Sequence, residues 1–218
     1  MIMITSILAC LFLIVLMLGI FYVTMKQDDK FSRNIAVYSG SFNPLHIGHK
    51  AIIQELSRKY DWVYLIVTPK NPLKIDIDEN TVDDRIDAAH KALLKNEIFN
   101  VTVSDIEKNM LPPYYTIRTL DELQKQNPKN SFSLVIGADN LRQLREWKDY
   151  QRILLEYGVI VFPRGKDDVD VLENLRYEYL KENTGYKIEI INTLIPDISS
   201  TEIRNAIKNG INVDNLLM

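Results

Sequence analysis

The chain has 218 residues, 46% of them in the apolar set, and its formal net charge at pH 7 is -3. This length and apolar content are sufficient for one globular domain with a substantial core. Cys10 is the only cysteine, which excludes a disulfide framework and a thiolate metal cluster. The sequence also lacks the long basic run that would indicate a nucleic-acid-binding groove.

The first 25 residues, MIMITSILACLFLIVLMLGIFYVTM, contain no charged side chain. About 20 predominantly apolar residues suffice to span a bilayer. A secretory signal would have a basic start and a small-residue cleavage site, and this segment has neither. One interpretation is a membrane-anchoring helix; because Lys26, Lys30 and Arg33 follow it, the main domain would then be cytoplasmic, held at the inner face of the membrane. The other interpretation is that translation starts at Met25.

From residue 34 to residue 218 the apolar patterns predict alternating strands and helices. Runs of β-branched and aromatic residues predict strands at 34–39, 62–68, near 99–103, 132–137, 159–162 and 187–191. Helical spacing and capping residues predict helices at 48–59, 81–95, 116–126 and 200–209. The second of these would bury Ile86, Ala89, Leu93 and Leu94. The pattern predicts a single α/β domain, a Rossmann-like doubly wound parallel sheet with helices on both faces.

The stretch SGSFNPLHIGHK follows the first predicted strand and opens the first predicted helix. It holds two of the three histidines of the chain, His46 and His49. Glycines allow close backbone approach, free N–H groups at a helix start favour an anion, and imidazoles add hydrogen-bond donors. The stretch is neither a Walker loop nor a GxGxxG turn, and no HExxH zinc motif is present. The alternative is a pair of surface histidines in an ordinary loop.

A second stretch near the other end, DISSTEIRNAIKNG, begins the last predicted helix. Ser199 at the N-cap and Glu202 three residues later form a capping box. The N–H groups and hydroxyls of Ser200 and Thr201 would then face the helix start, and Arg204 could offer a guanidinium fork to a phosphate. Alone, this stretch is equally typical of a well-capped C-terminal helix.

The stretch SGSFNPLHIGH resembles the HxGH motif of the nucleotidylyltransferase superfamily, which class I aminoacyl-tRNA synthetases share. The stretch ISSTEIR resembles the ISSTxxR motif of the nicotinate and pantetheine-phosphate adenylyltransferases. A synthetase would instead carry a KMSKS-type lysine loop, which the sequence lacks, and a tRNA-binding domain for which there is no room.

Four further segments resemble the bacterial nicotinate-nucleotide adenylyltransferases in particular. Lys74 of PKNPLK matches the lysine of their P-x-x-P-x-K loop. The segment PPYYTIRTLDEL is similar to their Tyr-Thr-x-x-Thr-Leu helix start, GADNLRQLREW to their G-A-D…W segment, and FPR to their Arg-Pro strand end. Two departures stand out: Asn43 replaces a more usual Asp, and no His precedes Lys74.

The resemblance implies that nicotinate mononucleotide attacks the α-phosphorus of ATP, giving deamido-NAD and pyrophosphate. It assigns catalysis to His46, His49 and Arg204. The implied ATP-binding residues are Ser39, Gly40, Ser41, Phe42, Gly48, Lys74, Gly137, Asp139, Ser199, Ser200 and Thr201. The implied residues for the acceptor nucleotide are Asn43, Tyr115, Thr116, Trp147 and Arg164.

The expected partners are ATP and nicotinate mononucleotide, with Mg²⁺ carried by ATP and no dedicated protein ligands for it. No nucleic acid is expected, and a homo-oligomer is compatible with the sequence. Two alternatives remain open. The acceptor could be nicotinamide mononucleotide or phosphopantetheine, or the chain could be a catalytically silent nucleotide-binding module tethered to a membrane.

Overall fold

The computed structural model describes residues 32–69, 81–163, 165, 169–193 and 195–218. The predicted apolar N-terminal helix, Lys74 and Arg164 lie outside these residues. Within the described ranges, no helix has both the length and the apolar character needed to cross a membrane.

In the described residues, six strands form one parallel sheet, as predicted. The strands are β1 (Asn34–Gly40), β2 (Trp62–Val67), β3 (Val101–Ser104), β4 (Ser131–Gly137), β5 (Val159–Phe162) and β6 (Ile188–Ile190). Their spatial order is β3-β2-β1-β4-β5-β6, and every neighbouring pair is parallel. The order reverses between β1 and β4, which is where open α/β sheets of this Rossmann-like type bind their ligands.

Helices connect the strands. They are α1 (Ile47–Lys59), α2 (Val82–Lys95), α3 (Thr116–Gln126), α4 (Ala138–Gln143), α5 (Tyr150–Arg152), α6 (Val169–Glu182) and α7 (Ser200–Lys208). Short 3₁₀ turns lie at Ile106–Asn109 and Leu144–Glu146, and a π-helical turn at Ile153–Tyr157 continues α5. The four predicted helices are confirmed to within one residue at each end.

The core lies on both faces of the sheet because successive strand residues point to opposite sides. In β1, Ile35 and Val37 pack on the face that α3 and α4 cover, whereas Ala36 packs on the face that α1 and α2 cover. Helices therefore cover both faces, as a doubly wound parallel sheet requires.

Two details of the prediction are wrong. Leu94 is 71% exposed rather than buried, because the buried side of α2 is formed by Arg85, Ala89, Ala92 and Leu93. The third strand begins at Val101, two residues later than predicted.

Helices α4, α5 and α6 were not predicted. The 14-residue helix α6 fully buries only Leu172 and Tyr179, which are two turns apart, so its apolar stripe is weak.

Candidate active site

A cleft of about 700 Å³ opens at the carboxyl ends of β1, β2, β4 and β5, where the strand order reverses. The loop after β1 and the start of α7 form two of its walls. The predicted residues that line it are Ser39, Gly40, Ser41, Phe42, Asn43, His46, Gly48, His49, Gly137, Asp139, Ser199, Ser200, Thr201 and Arg204.

The two histidines cap the start of α1 reciprocally. His46 is the N-cap, and its Nδ1 accepts a hydrogen bond of 3.2 Å from the N–H of Gly48. The Nδ1 of His49 accepts one of 3.3 Å from the N–H of His46. The rings are stacked with centroids 3.7 Å apart. Because each Nδ1 accepts, each neutral ring carries its proton on Nε2, so both imidazoles can donate through that atom.

The backbone N–H groups at this helix start are already used, which corrects the expectation that they would hold an anion. Ile47 N–H donates to the carbonyl of Leu216 at 2.9 Å, in a short antiparallel bridge between His46 and Leu217. The N–H of Gly48 is taken by His46. The start of α1 therefore contributes imidazoles to the cleft rather than amides.

The start of α7 has the capping box that the sequence predicted. Ser199 Oγ accepts from the N–H of Glu202 at 3.2 Å and donates to its carboxylate at 2.7 Å. The hydroxyl of Ser199 is thus used in hydrogen bonds to Glu202 of the same helix. No hydrogen bond among the described residues uses the N–H of Ser200 or of Thr201. These two amides, at the positive end of the helix dipole, are backbone donors that the start of α7 offers to an anion.

The two helix starts lie side by side. Ser200 Oγ donates to the carbonyl of Pro44 at 3.1 Å. Arg204 donates through Nη1 to the carbonyl of Asn43 at 2.8 Å and through Nη2 to Thr201 Oγ1 at 3.1 Å. Paired imidazoles and a guanidinium with two amides therefore converge on one cleft, although the motifs are more than 150 residues apart in sequence.

Phe42 shapes the loop between these groups. Its φ of 48° is in the left-handed region, which is rare for a bulky residue. The ring is 3% exposed and meets the rings of Tyr38 and His49 edge-on, each at 5.2 Å. A Cβ on Gly40 would lie 3.1 Å from this ring, so glycine gives it room. Phe42 supports the His49 ring by packing.

The space around Gly48 is equally small, so a side chain at this position should disturb the His46 ring. A Cβ there would lie 3.1 Å from two atoms of the His46 ring and 3.2 Å from the carbonyl oxygen of Pro196. We expect Gly48→Ala to displace the His46 ring and to lower kcat/KM about tenfold, because small misplacements of reacting groups are costly. The melting temperature should change little, since alanine favours the helix.

Steady-state kinetics and thermal unfolding of Gly48→Ala, with Gly185→Ala as control, check this prediction. A Cβ on Gly185 would be similarly close to Asn183 and Leu155, at 3.2 and 3.3 Å, but Gly185 is not among the residues that line the cleft. Equal losses of activity in both variants would contradict a specific role for the space beside Gly48.

Two further polar residues that line the cleft, Thr68 and Asn140, were not predicted. Thr68 is the last residue of one predicted strand and Asn140 stands three residues after another, so their place at the carboxyl ends of parallel strands was the available signal. Beside them, Asp139 Oδ1 lies 2.5 Å from where a Cβ of Gly137 would be, so glycine is needed for this position of the carboxylate.

Of the residues predicted to hold the acceptor, Asn43 lines this cleft, whereas Tyr115, Thr116 and Trp147 do not. Tyr115, the N-cap of α3, is 40% exposed, and Thr116 is the first residue of that helix. Trp147 is partly buried against the core, and its buried Nε1 has no hydrogen-bond partner among the described residues.

The cleft has little that could ligate a metal directly. Asp139 is the one carboxylate among its described lining residues. No group of three or more His, Cys, Asp or Glu side chains with suitable spacing occurs in the described part of the chain.

Comparisons with known proteins identify similar sequences and folds. A family model described as cytidylyltransferase-like matches residues 37–206. The chain is 39% identical over 186 residues to the probable nicotinate-nucleotide adenylyltransferase of Flavobacterium psychrophilum, covering 84% of this chain and 91% of that one. It is 36% identical over 185 residues to the Flavobacterium johnsoniae protein of the same name, with the same coverage.

Among solved structures, the nicotinic acid mononucleotide adenylyltransferase of Plasmodium falciparum is similar in its complexes with NaAD and with APC. The TM-scores are 0.65 and 0.61, at 21% and 22% identity, and each match covers 84% of this chain and 88% of the other. At this identity the similarity establishes the fold.

Proposed function

The chain belongs to the cytidylyltransferase-like family, among the nicotinate-nucleotide adenylyltransferases, and from this premise we propose that it transfers the adenylyl group of ATP to nicotinate mononucleotide. An oxygen of the mononucleotide 5′-phosphate forms a bond to the α-phosphorus of ATP. The bond from that phosphorus to the α–β bridging oxygen breaks, and its electron pair leaves with pyrophosphate. The other product is deamido-NAD.

One observation carries the proposal: two helix starts rich in phosphate-binding groups meet at one cleft, joined by the bonds from Ser200 to Pro44 and from Arg204 to Asn43. The substrate itself supplies the nucleophile. The protein therefore has to position two anions and stabilise the charge that develops between them.

We assign the Nε2–H groups of His46 and His49 to the triphosphate, with His49 nearest the α-phosphate. The amides of Ser200 and Thr201 and the guanidinium of Arg204 would hold the β- and γ-phosphates. Lys74 would assist from the loop after β2, outside the described residues. All these groups are donors, which suits a transition state in which negative charge spreads over phosphoryl oxygens.

The acceptor would lie towards the start of α3. Tyr115 N–H donates to the carbonyl of Pro113 at 2.9 Å. No hydrogen bond in the described ranges uses the N–H of Thr116, the first residue of α3. That amide could hold the pyridine carboxylate at the positive end of the helix. Trp147, Asn43 and Arg164 are assigned to the acceptor by the family resemblance.

Mg²⁺ would arrive with ATP. Because Asp139 is the only carboxylate among the described lining residues, most ligands of the ion would be phosphate oxygens and retained water, as Mg²⁺ prefers.

We place the domain in the cytoplasm, where ATP is available. Lys26, Lys30 and Arg33 follow the apolar run 1–25, and under the positive-inside rule an anchored domain would also remain on that side. A mass measurement of the N-terminus of the native protein tests the anchor: a start at Met25 would exclude it.

Pyrophosphate release tests the function. Purified protein is incubated with ATP, Mg²⁺ and one acceptor at a time: nicotinate mononucleotide, nicotinamide mononucleotide or phosphopantetheine. We expect the highest kcat/KM with nicotinate mononucleotide, with deamido-NAD identified by mass. A clear preference for another acceptor would reassign the substrate, and no release with any acceptor would favour a silent nucleotide-binding module.

A further inference from the structure

Arg85 is a buried arginine of α2 that touches two walls of the cleft. It is 3% exposed. Its Nη1 donates to the carbonyl of Ser41 at 2.8 Å and to that of Thr68 at 2.9 Å, and its Nη2 donates to the carbonyl of Pro69 at 3.3 Å. All three acceptor residues line the cleft, whereas Arg85 itself does not. One guanidinium thus ties the loop after β1 to the end of β2.

The bond to Ser41 has a consequence for the histidines. The Ser41 carbonyl belongs to the peptide unit that precedes Phe42, whose φ is 48°. A bulky residue keeps such a conformation only where its surroundings enforce it. The ring of Phe42 in turn meets that of His49 edge-on at 5.2 Å. Arg85 therefore fixes the peptide next to the strained residue that supports His49.

We propose that Arg85 is a positioning residue for the transfer reaction: it fixes the Ser41–Phe42 peptide and, through Phe42, the ring of His49. The inference rests on the proposed function, in which His49 contacts the triphosphate. Arg85 itself does not line the cleft in which the substrates would bind. Its loss should therefore reduce turnover more than ATP binding, whereas a purely structural arginine would affect stability without a selective effect on turnover.

The first test compares Arg85→Lys with Arg176→Lys. Arg176 is a control outside the cleft, since its Nε also donates to a backbone carbonyl, that of Ile188 at 3.0 Å, although its side chain is 40% exposed and pairs with Glu173. Lysine keeps the charge but lacks the planar fork that spans these carbonyls. We expect Arg85→Lys to lower kcat about tenfold or more with a smaller change in the KM for ATP, and the control to retain wild-type kinetics. A folded Arg85→Lys enzyme with unchanged kcat would overturn the proposal, and so would an unfolded one, because Arg85 would then support the fold in general.

Chemical rescue adds a readout that a general loss of stability would not give. Arg85→Ala leaves a buried space beside the carbonyls of Ser41 and Thr68. Added guanidinium chloride, at concentrations that leave the wild-type enzyme active, should restore part of the kcat of Arg85→Ala. Absence of rescue in a folded Arg85→Ala protein that binds ATP would count against the role of the guanidinium.

A double-mutant cycle tests the path through His49. If Arg85 acts by positioning His49, Arg85→Lys should cause little further loss of kcat in a His49→Asn background, because coupled residues are not additive. Losses that multiply would show that the two residues act independently and would overturn the proposed path.

Hydrogen exchange separates this inference from the proposed function, since it needs no substrate. We expect amides between residues 41 and 50 to exchange faster in Arg85→Lys than in the wild type, and to be unchanged in Arg176→Lys. Unchanged exchange would overturn the positioning role, whatever the reaction. A wild-type protein that releases no pyrophosphate would count against the proposed function alone.

Discussion

Replacing His49 by alanine is expected to lower kcat about a hundredfold or more, which is about what the loss of one preorganised donor costs at a site of developing charge. The His49 ring is held on three sides: it stacks on His46, meets Phe42 edge-on, and accepts the N–H of His46 through Nδ1. Its Nε2–H is therefore fixed before ATP binds. A donor fixed in this way requires no reorganisation during the reaction.

Two further substitutions separate the donor from the helix cap. The amide of asparagine can reach the position of Nδ1 and accept the N–H of His46, but it cannot reach the position of Nε2. Glutamine can reach the position of Nε2. We expect His49→Asn to be nearly as inactive as His49→Ala, and His49→Gln to retain more activity. Single-turnover rates with ATP and nicotinate mononucleotide measure this difference, and circular dichroism confirms folding. A His49→Asn enzyme with near-wild-type turnover would show that the ring matters only as a cap.

Replacing Arg204 by alanine is expected to have the second large effect: kcat/KM for ATP should fall about a hundredfold. The reason is that charge-assisted hydrogen bonds to phosphate are among the strongest in proteins. Arg204 also bonds the carbonyl of Asn43 and the hydroxyl of Thr201. It therefore links α7 to the loop after β1 as well as presenting positive charge to the cleft.

Arg204→Lys distinguishes charge from geometry. Lysine keeps the positive charge but is a point donor, so it cannot bond the Asn43 carbonyl and a phosphate with the same planar fork. We expect it to recover only part of the loss. Arg58→Ala is the control, because the side chain of Arg58 is 73% exposed and pairs with Glu55 on the surface of α1. If Arg204→Ala and Arg58→Ala had the same kcat/KM, Arg204 would have no role at the phosphates.

The sequence predicts the sheet well because its strands are encoded locally. Strand β2, for example, is a continuous apolar run, WVYLIV, that is buried on both faces. The capping box of Ser199 and Glu202 is also local, so the start of α7 was predictable down to its hydrogen bonds. Helix α6 was missed because its fully buried residues, Leu172 and Tyr179, are too few to produce a clear helical periodicity of apolar residues.

What could not be predicted depends on contacts between distant segments. The bond from Ile47 to Leu216 joins backbone atoms, and backbone pairing of single residues leaves no pattern in the sequence. A histidine is not a usual N-cap, so the reciprocal cap of His46 and His49 was not foreseen either. Arg85 did leave a signal: it precedes Ala89 and Leu93 by one and two turns, on the side predicted to be buried. A charge at such a position indicates a specific polar partner.

The most direct measurement is a crystal structure of the protein with Mg²⁺ and a non-hydrolysable ATP analogue. We expect the triphosphate to lie between the two helix starts, with the Nε2 atoms of His46 and His49 on one side and the amides of Ser200 and Thr201 on the other. These nitrogens should be within about 3.2 Å of phosphate oxygens. A triphosphate bound outside this cleft, or held by only one of the two helix starts, would contradict the account.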